Sequence, residues 1–331
     1  RLRGEVHALV QLGIMIEAQE GLTWERWEAI IAAADRLGFT WLRRSDHLFS
    51  TIATGERDSL ELWPSLTMVP VRSERLRFGQ MVSPITWRHP VELARNAAAL
   101  DRLSGGRFDL GVGAGWNEVE HRAFGIPFPP IRERFDRLDE AIQVIQRLHT
   151  GERVSFDGRY YRLEDAVCRP TPTRPGGPRL VIGGKGRRSL RIIATYADEW
   201  NVTSMTPQDY EALRAEFERA CADAQRDPNA VERTIMLAHL VGRDEAELRE
   251  RARRMQQIIP SLQEVPVEEL PDRLRQRNWL VGTPDEVVER IKSWEAVGIQ
   301  GILLQTLDQE DIPALELIAS EIMPRVGAAA Q

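Results

Sequence analysis

Extended and helical patterns alternate along this 331-residue chain, and no other property of the sequence narrows its fold as much. Glu5 to Met15 is a continuous apolar stretch, the pattern of a strand covered on both faces. Thr23 can cap a helix from Trp24 to Leu37, whose Trp27, Ile30, Ile31 and Ala34 share one face and which Gly38 ends. The pairing then repeats: strand Thr40–Arg44 with helix Leu60–Val69, strand Arg77–Ser83 with helix Pro90–Leu103, strand Arg107–Val112 with helix Arg132–His149. It resumes with strand Arg179–Ile182 and helix Arg187–Tyr196, then strand Glu199–Val202 and helix Pro207–Arg226. Thr234–Val241 is the seventh strand, and Gly301–Gln305 with helix Ile312–Ile322 closes the series.

Two segments break this rhythm. In Gly151–Pro178, VSFDGRYYRL reads as a hairpin turning at Asp157 and Gly158, followed by prolines and glycines. Asp244–Leu280 is charged, helical and interrupted by Pro260, Pro266 and Pro271, before Thr283, Pro284 and Glu286 open a helix with a capping box. Eight strand–helix units predict a (β/α)8 barrel, one domain over residues 1–331, with an insertion at about 151–178 and a helical excursion at about 244–282. A doubly wound sheet is the alternative.

Composition excludes several classes. No apolar run approaches the roughly 18 residues of a membrane span, and the N-terminal RLRGEVHALVQLGIM lacks the apolar core and cleavage site of a signal peptide, so a soluble, cytoplasmic protein is expected. A net charge of -6 argues against nucleic acid as a partner. Cys168 and Cys221 stand alone, without metal-ligand spacing, so neither a metal site nor a disulfide framework is expected.

In such a barrel chemistry sits where the strands end. The fourth strand ends in Gly111, Gly113 and Gly115, followed by Trp116, Asn117 and Glu118; glycine lets the backbone bend and a flat ligand approach. GxGxxG fails here because Trp116 occupies the last glycine position. His47 follows the second strand beside Asp46, and a histidine there can exchange a proton near neutrality. His89 precedes Pro90 and reads as a residue positioning that turn, while His121 reads as solvent-facing. Gly183, Gly184 and Gly186, with Lys185, Arg187 and Arg188, precede or open a helix and form a candidate phosphate cradle.

Four stretches together carry a resemblance: Ser45–His47 (SDH), Thr86–Pro90 (TWRHP), Leu100–Gly125 (LDRLSGGRFDLGVGAGWNEVEHRAFG) and Gly183–Asn201 (GGKGRRSLRIIATYADEWN). They resemble the luciferase-like flavin and deazaflavin oxidoreductases, more closely the coenzyme F420-dependent branch, strongly over residues 5 to 205. The resemblance implies a barrel holding F420 at the strand carboxyl ends, usually in a homodimer, with hydride transfer between the deazaflavin C5 and a small organic substrate. It implies His47 as proton donor or acceptor, Asp46 beside the ring, and a non-proline cis peptide near Met81–Val82 behind it. It further implies Asn117 at the ring or ribityl region, and Gly183, Gly184, Lys185, Gly186 and Arg187 around the phosphate. An FMN-dependent monooxygenase using O2 is the alternative within the family. The family's sugar-phosphate dehydrogenases carry a glutamate after the second glycine of the GxG turn and a tryptophan four residues beyond the histidine. Ala114 and Thr51 stand there instead, which argues against glucose 6-phosphate.

Overall fold

The computed structural model describes residues 10–52 and 56–326. In chain order, strands one to eight are Gln11–Ile16, Trp41–Arg44, Arg77–Gln80, Phe108–Gly113, Arg179–Gly183, Glu199–Thr203, Glu232–Val241 and Gly301–Thr306. Each runs parallel to its neighbours, and strand eight pairs back onto strand one from Gln11 opposite Gly301 to Ile16 opposite Thr306. The sheet therefore closes, and the fold is the (β/α)8 barrel rather than the doubly wound alternative. Residues 5–9 of the expected first strand lie outside the described residues.

The strands read as apolar runs because both faces are covered: every residue of strands two and four is buried. The helices begin where their caps predict. Thr23 Oγ1 accepts from Arg26 N at 3.3 Å, and Gly38 ends that helix at φ 86°. Thr283 and Glu286 form the expected reciprocal capping box, and Thr206 and Asp209 form another.

The barrel lumen carries a core of its own. Trp41 fills it with Met15 and Leu303, and Met81 and Met236 pack on top. A Cβ on Gly13 or Gly301 would lie 2.8 or 2.7 Å from Trp41 atoms, so both glycines make room for the indole. On the amino-terminal side, Arg43 donates to both oxygens of Glu199 at 2.6 Å and to Asp109 at 3.0 Å. Thr234 Oγ1 donates to the same Glu199 at 2.7 Å. Burial alone would push the Arg43 guanidinium down, but the facing carboxylates of Glu199 and Asp109 outweigh it and hold the charge firmly. One end of the lumen is thus plugged by indole and ion pairs, leaving the other open to a ligand.

Strand three, expected over Arg77–Ser83, stops at Gln80; the non-proline Met81–Val82 peptide is cis, as the resemblance implied, and Ser83–Pro84 pairs with Val112 and Gly113 of strand four. Two further departures from the sequence reading follow. The second helix is Leu62–Arg72 and runs through Pro70, which removes one backbone donor from its last turn. The excursion after strand seven comprises helix Glu245–Ile258, helix Leu270–Gln276 and an unanticipated strand, Leu280–Gly282, paired with His239–Val241 beyond the barrel. Leu248, Met255, Leu262, Leu270 and Leu274 give it an apolar cluster separate from that of the main body. The hairpin of the 151–178 insertion forms as expected, from Val154–Asp157 and Arg162–Ala166.

Candidate active site

At the carboxyl ends of the strands lies a cavity of about 780 Å³. Met15, Met81 and Met236 line it above Trp41, so its floor is the top of the lumen core. Of the residues singled out in the sequence, Asp46, His47, Met81, Val82, Asn117, Gly183, Gly184 and Lys185 line this one cavity. Gly186 and Arg187 do not line it.

His47 stands three residues past strand two, in a turn begun when Ser45 N donates to Ile16 O at 2.9 Å. Its Nδ1 is 2.7 Å from Glu120 Oε2, and the other oxygen of Glu120 accepts from Leu48 N at 2.6 Å. The carboxylate, fully buried, can only accept, so Nδ1 carries the hydrogen and Nε2 is left for exchange. Burial pushes His47 down, yet the hydrogen bond and charge of Glu120, with the charges of Glu17 and Asp46, outweigh it and raise His47 above its ordinary value. Trp116 meets the imidazole edge to face at 5.5 Å.

Glu120 was not found from sequence. It sits on the short helix Glu118–Ala123, capped by Asn117, whose Oδ1 accepts from Val119 N at 3.1 Å. The same helix corrects the reading of His121. That ring is buried, donates from Nδ1 to Asn117 O at 2.6 Å, and packs against Trp87 and Phe128, because the helix turns Glu120 and His121 inward together. His89 behaves as expected, accepting from Val91 N at 3.3 Å at the head of its helix. His239 hydrogen-bonds Thr306 Oγ1 at 3.1 Å and, pushed to about 4 mainly by burial, is neutral at pH 7.

Asp46 is pinned. Ser83 Oγ donates to its Oδ2 at 2.6 Å, and Arg88 grips both oxygens at 3.1 and 2.9 Å. The strand-four glycines serve a purpose the sequence did not disclose. A Cβ on Gly113 would lie 2.7 Å from Val82 Cγ2, and one on Gly111 would lie 2.0 Å from Gln80 O and 3.1 Å from Val82 Cγ1. They accommodate strand three and its interruption at Val82, and of the run Gly113 and Gly115 also reach the cavity.

Across the cavity, the loop from strand five leads into helix Arg187–Tyr196, whose first turn has no side-chain cap. Unpaired N–H groups and the positive end of the macrodipole suit an anion there. A Cβ on Gly184, at φ 150°, would lie 2.6 Å from Ser189 Cβ, so only glycine lets this loop fold so tightly. Lys185 Nζ donates to Thr203 O at 3.1 Å, and Arg188 is engaged by Asp136. The donor set fits the phosphate of a deazaflavin or flavin.

Comparison with known proteins agrees. A family model described as luciferase-like monooxygenase matches residues 5–301. The F420-dependent hydroxymycolic acid dehydrogenase of Mycobacterium tuberculosis is 30% identical over 324 residues, 95% of this chain and 88% of that protein. An F420-dependent glucose-6-phosphate dehydrogenase of Beutenbergia cavernae is 30% identical over 315 residues, 91% of this chain and 93% of that one. A solved F420-dependent secondary alcohol dehydrogenase, in complex with an F420–acetone adduct, superposes with a TM-score of 0.80 at 20% identity, covering 97% of this chain and 100% of that one, a likeness of fold. The family match runs from before strand one to the start of strand eight, and on it the chain belongs to the luciferase-like family.

Proposed function

We propose that this protein is a coenzyme F420-dependent oxidoreductase acting on an alcohol or carbonyl compound. The observation that carries the reading is the His47–Glu120 pair on the wall of the cavity, in a chain whose relatives at 30% identity are F420-dependent dehydrogenases. When bound, F420 supplies a carbon, C5, that accepts or returns a hydride. Gly183, Gly184 and Lys185, with Gly186 and Arg187 at the helix start, would hold its phosphate. Met81 and Val82 would back the ring, and Asp46 and Asn117 would meet its edge.

His47 moves the proton. In the oxidative direction Nε2 would take the proton of the substrate O–H as the C=O bond forms, with the bound cofactor supplying the acceptor for the hydride that leaves the same carbon. Glu120 holds the ring in the required tautomer and stabilises the resulting imidazolium. A homodimer working in the cytoplasm belongs to the same proposal; sedimentation and cell fractionation check those two points.

Titration of the protein with F420 and, separately, with FMN tests the cofactor, read as tryptophan fluorescence or calorimetric heat. Tight F420 and weak FMN binding is expected, with His47→Ala retaining F420 binding and losing turnover. The reverse preference, with turnover dependent on O2, would overturn this reading in favour of a flavin monooxygenase.

A further inference from the structure

The walls of the cavity differ, and the difference speaks to the substrate. On the side away from the phosphate cradle, Ile52, Ile259, Trp279 and Leu307 line it. These four belong to or pack against the excursion's own apolar cluster, so this wall is built from hydrocarbon and an indole. At the mouth, Trp116 is 67% exposed and Ile131 55% exposed, and both also line the cavity. Apolar side chains therefore line the cavity both inside and at its rim.

Charge points the same way. The carboxylates Glu17, Glu20 and Asp46 line the cavity. Arg57 offsets Glu20 at 3.0 Å and Arg88 offsets Asp46, whereas the groups meeting the Glu17 carboxylate are the neutral amides of Gln19 and Gln305. The two lysine or arginine residues on the lining, Lys185 and Arg277, are both exposed, and Lys185 lies in the loop assigned to the cofactor phosphate. Among the described residues no buried lysine or arginine lines the wall to receive a dianion, and a negative interior repels one.

We propose that the substrate is an uncharged alcohol or ketone carried on a long apolar chain, whose reacting carbon lies beside His47 and whose chain follows the Ile259–Leu307 wall and leaves over Trp116 and Ile131. This rests on the hydride-transfer reading for the reacting carbon, and on the walls alone for the chain. A sugar phosphate has no place in it.

The test is direct binding of methyl ketones of increasing length, from butanone to a hexadecanone, with glucose 6-phosphate for comparison. Binding is read by calorimetry on the full chain, with and without F420, so that no turnover is needed. Affinity should rise about fourfold per methylene, the transfer free energy of one CH₂ leaving water. In Ile131→Ser the rise should stop earlier in the series, since the rim no longer shelters the distal carbons. A flat series, or glucose 6-phosphate binding more tightly than the long ketones, overturns the proposal. A flat series with F420 binding intact overturns this inference alone; loss of F420 binding with the slope intact overturns the cofactor reading alone. Sedimentation closes the remaining route: a dimer that Ile131→Ser dissociates, with an unchanged ketone series, assigns the rim to a second copy and also overturns the proposal.

Discussion

Replacing Glu120 by Gln isolates the most consequential contact in the site. In the native protein one carboxylate oxygen accepts from Leu48 N and the other faces His47 Nδ1. In Glu120→Gln the Leu48 N–H still needs an acceptor, so the amide oxygen turns to it and the NH₂ is left facing Nδ1. The ring must then accept through Nδ1, carry its hydrogen on Nε2, and resist a second proton. A hydrogen bond to a charged partner contributes about 1.5–3 kcal/mol, and at about 1.36 kcal/mol per pKa unit its loss lowers His47 by about one to two units. The sign for stability follows from the raised native value of His47. Folding favours the protonated ring, so this contribution is complete below the unfolded value of about 6.5 and disappears as pH rises through the higher folded one. Glu120→Gln should flatten urea-derived stability across that window. Nitrogen-15 NMR of the imidazoles reads both titration and tautomer, with His47 assigned by the resonance missing in His47→Asn. A His47 value lowered by less than about half a unit, or an unchanged tautomer, would refute the reasoning.

Two further perturbations probe the frame around that pair. Arg88→Ala strands the buried Asp46 carboxylate with Ser83 as its remaining partner and should cost about 3–5 kcal/mol in urea denaturation, with Arg88→Ala/Asp46→Asn costing less than the two single changes combined. Gly113→Ala drives a methyl to 2.7 Å from Val82 Cγ2 and should cost about 1–3 kcal/mol, whereas Ala114→Gly, one residue along, should cost less than about 1 kcal/mol; equal losses would mean that Val82 does not set the glycine requirement.

The barrel was legible because parallel strands covered on both faces leave unbroken apolar runs and because caps such as Thr23 and Thr283 act locally. His47 was legible for a related reason: a strand end is a position along the chain, and positions are what a sequence displays. Glu120 and His121 were not, because their inward direction depends on where Asn117 starts a six-residue helix, too short to show a period of its own. The steric requirement for Gly111 and Gly113 was not legible for a similar reason: the atoms that exclude a Cβ belong to Gln80 and Val82 on another segment, and nothing local announces them. Strand Leu280–Gly282 escaped notice because three residues cannot display an alternation.

The excursion after strand seven fills its interior with Leu248, Leu262, Leu270 and neighbouring side chains, while lending Ile259 and Trp279 to the cavity. Its sequence can therefore drift without disturbing the lumen packing of Trp41 or the ion pairs of Arg43. Packing of the barrel and the lining of one cavity wall are stored in different parts of the chain, so descendants of this scaffold can reshape that wall by rewriting residues 242–282 while inheriting the barrel, His47 and the Gly183–Gly186 loop intact.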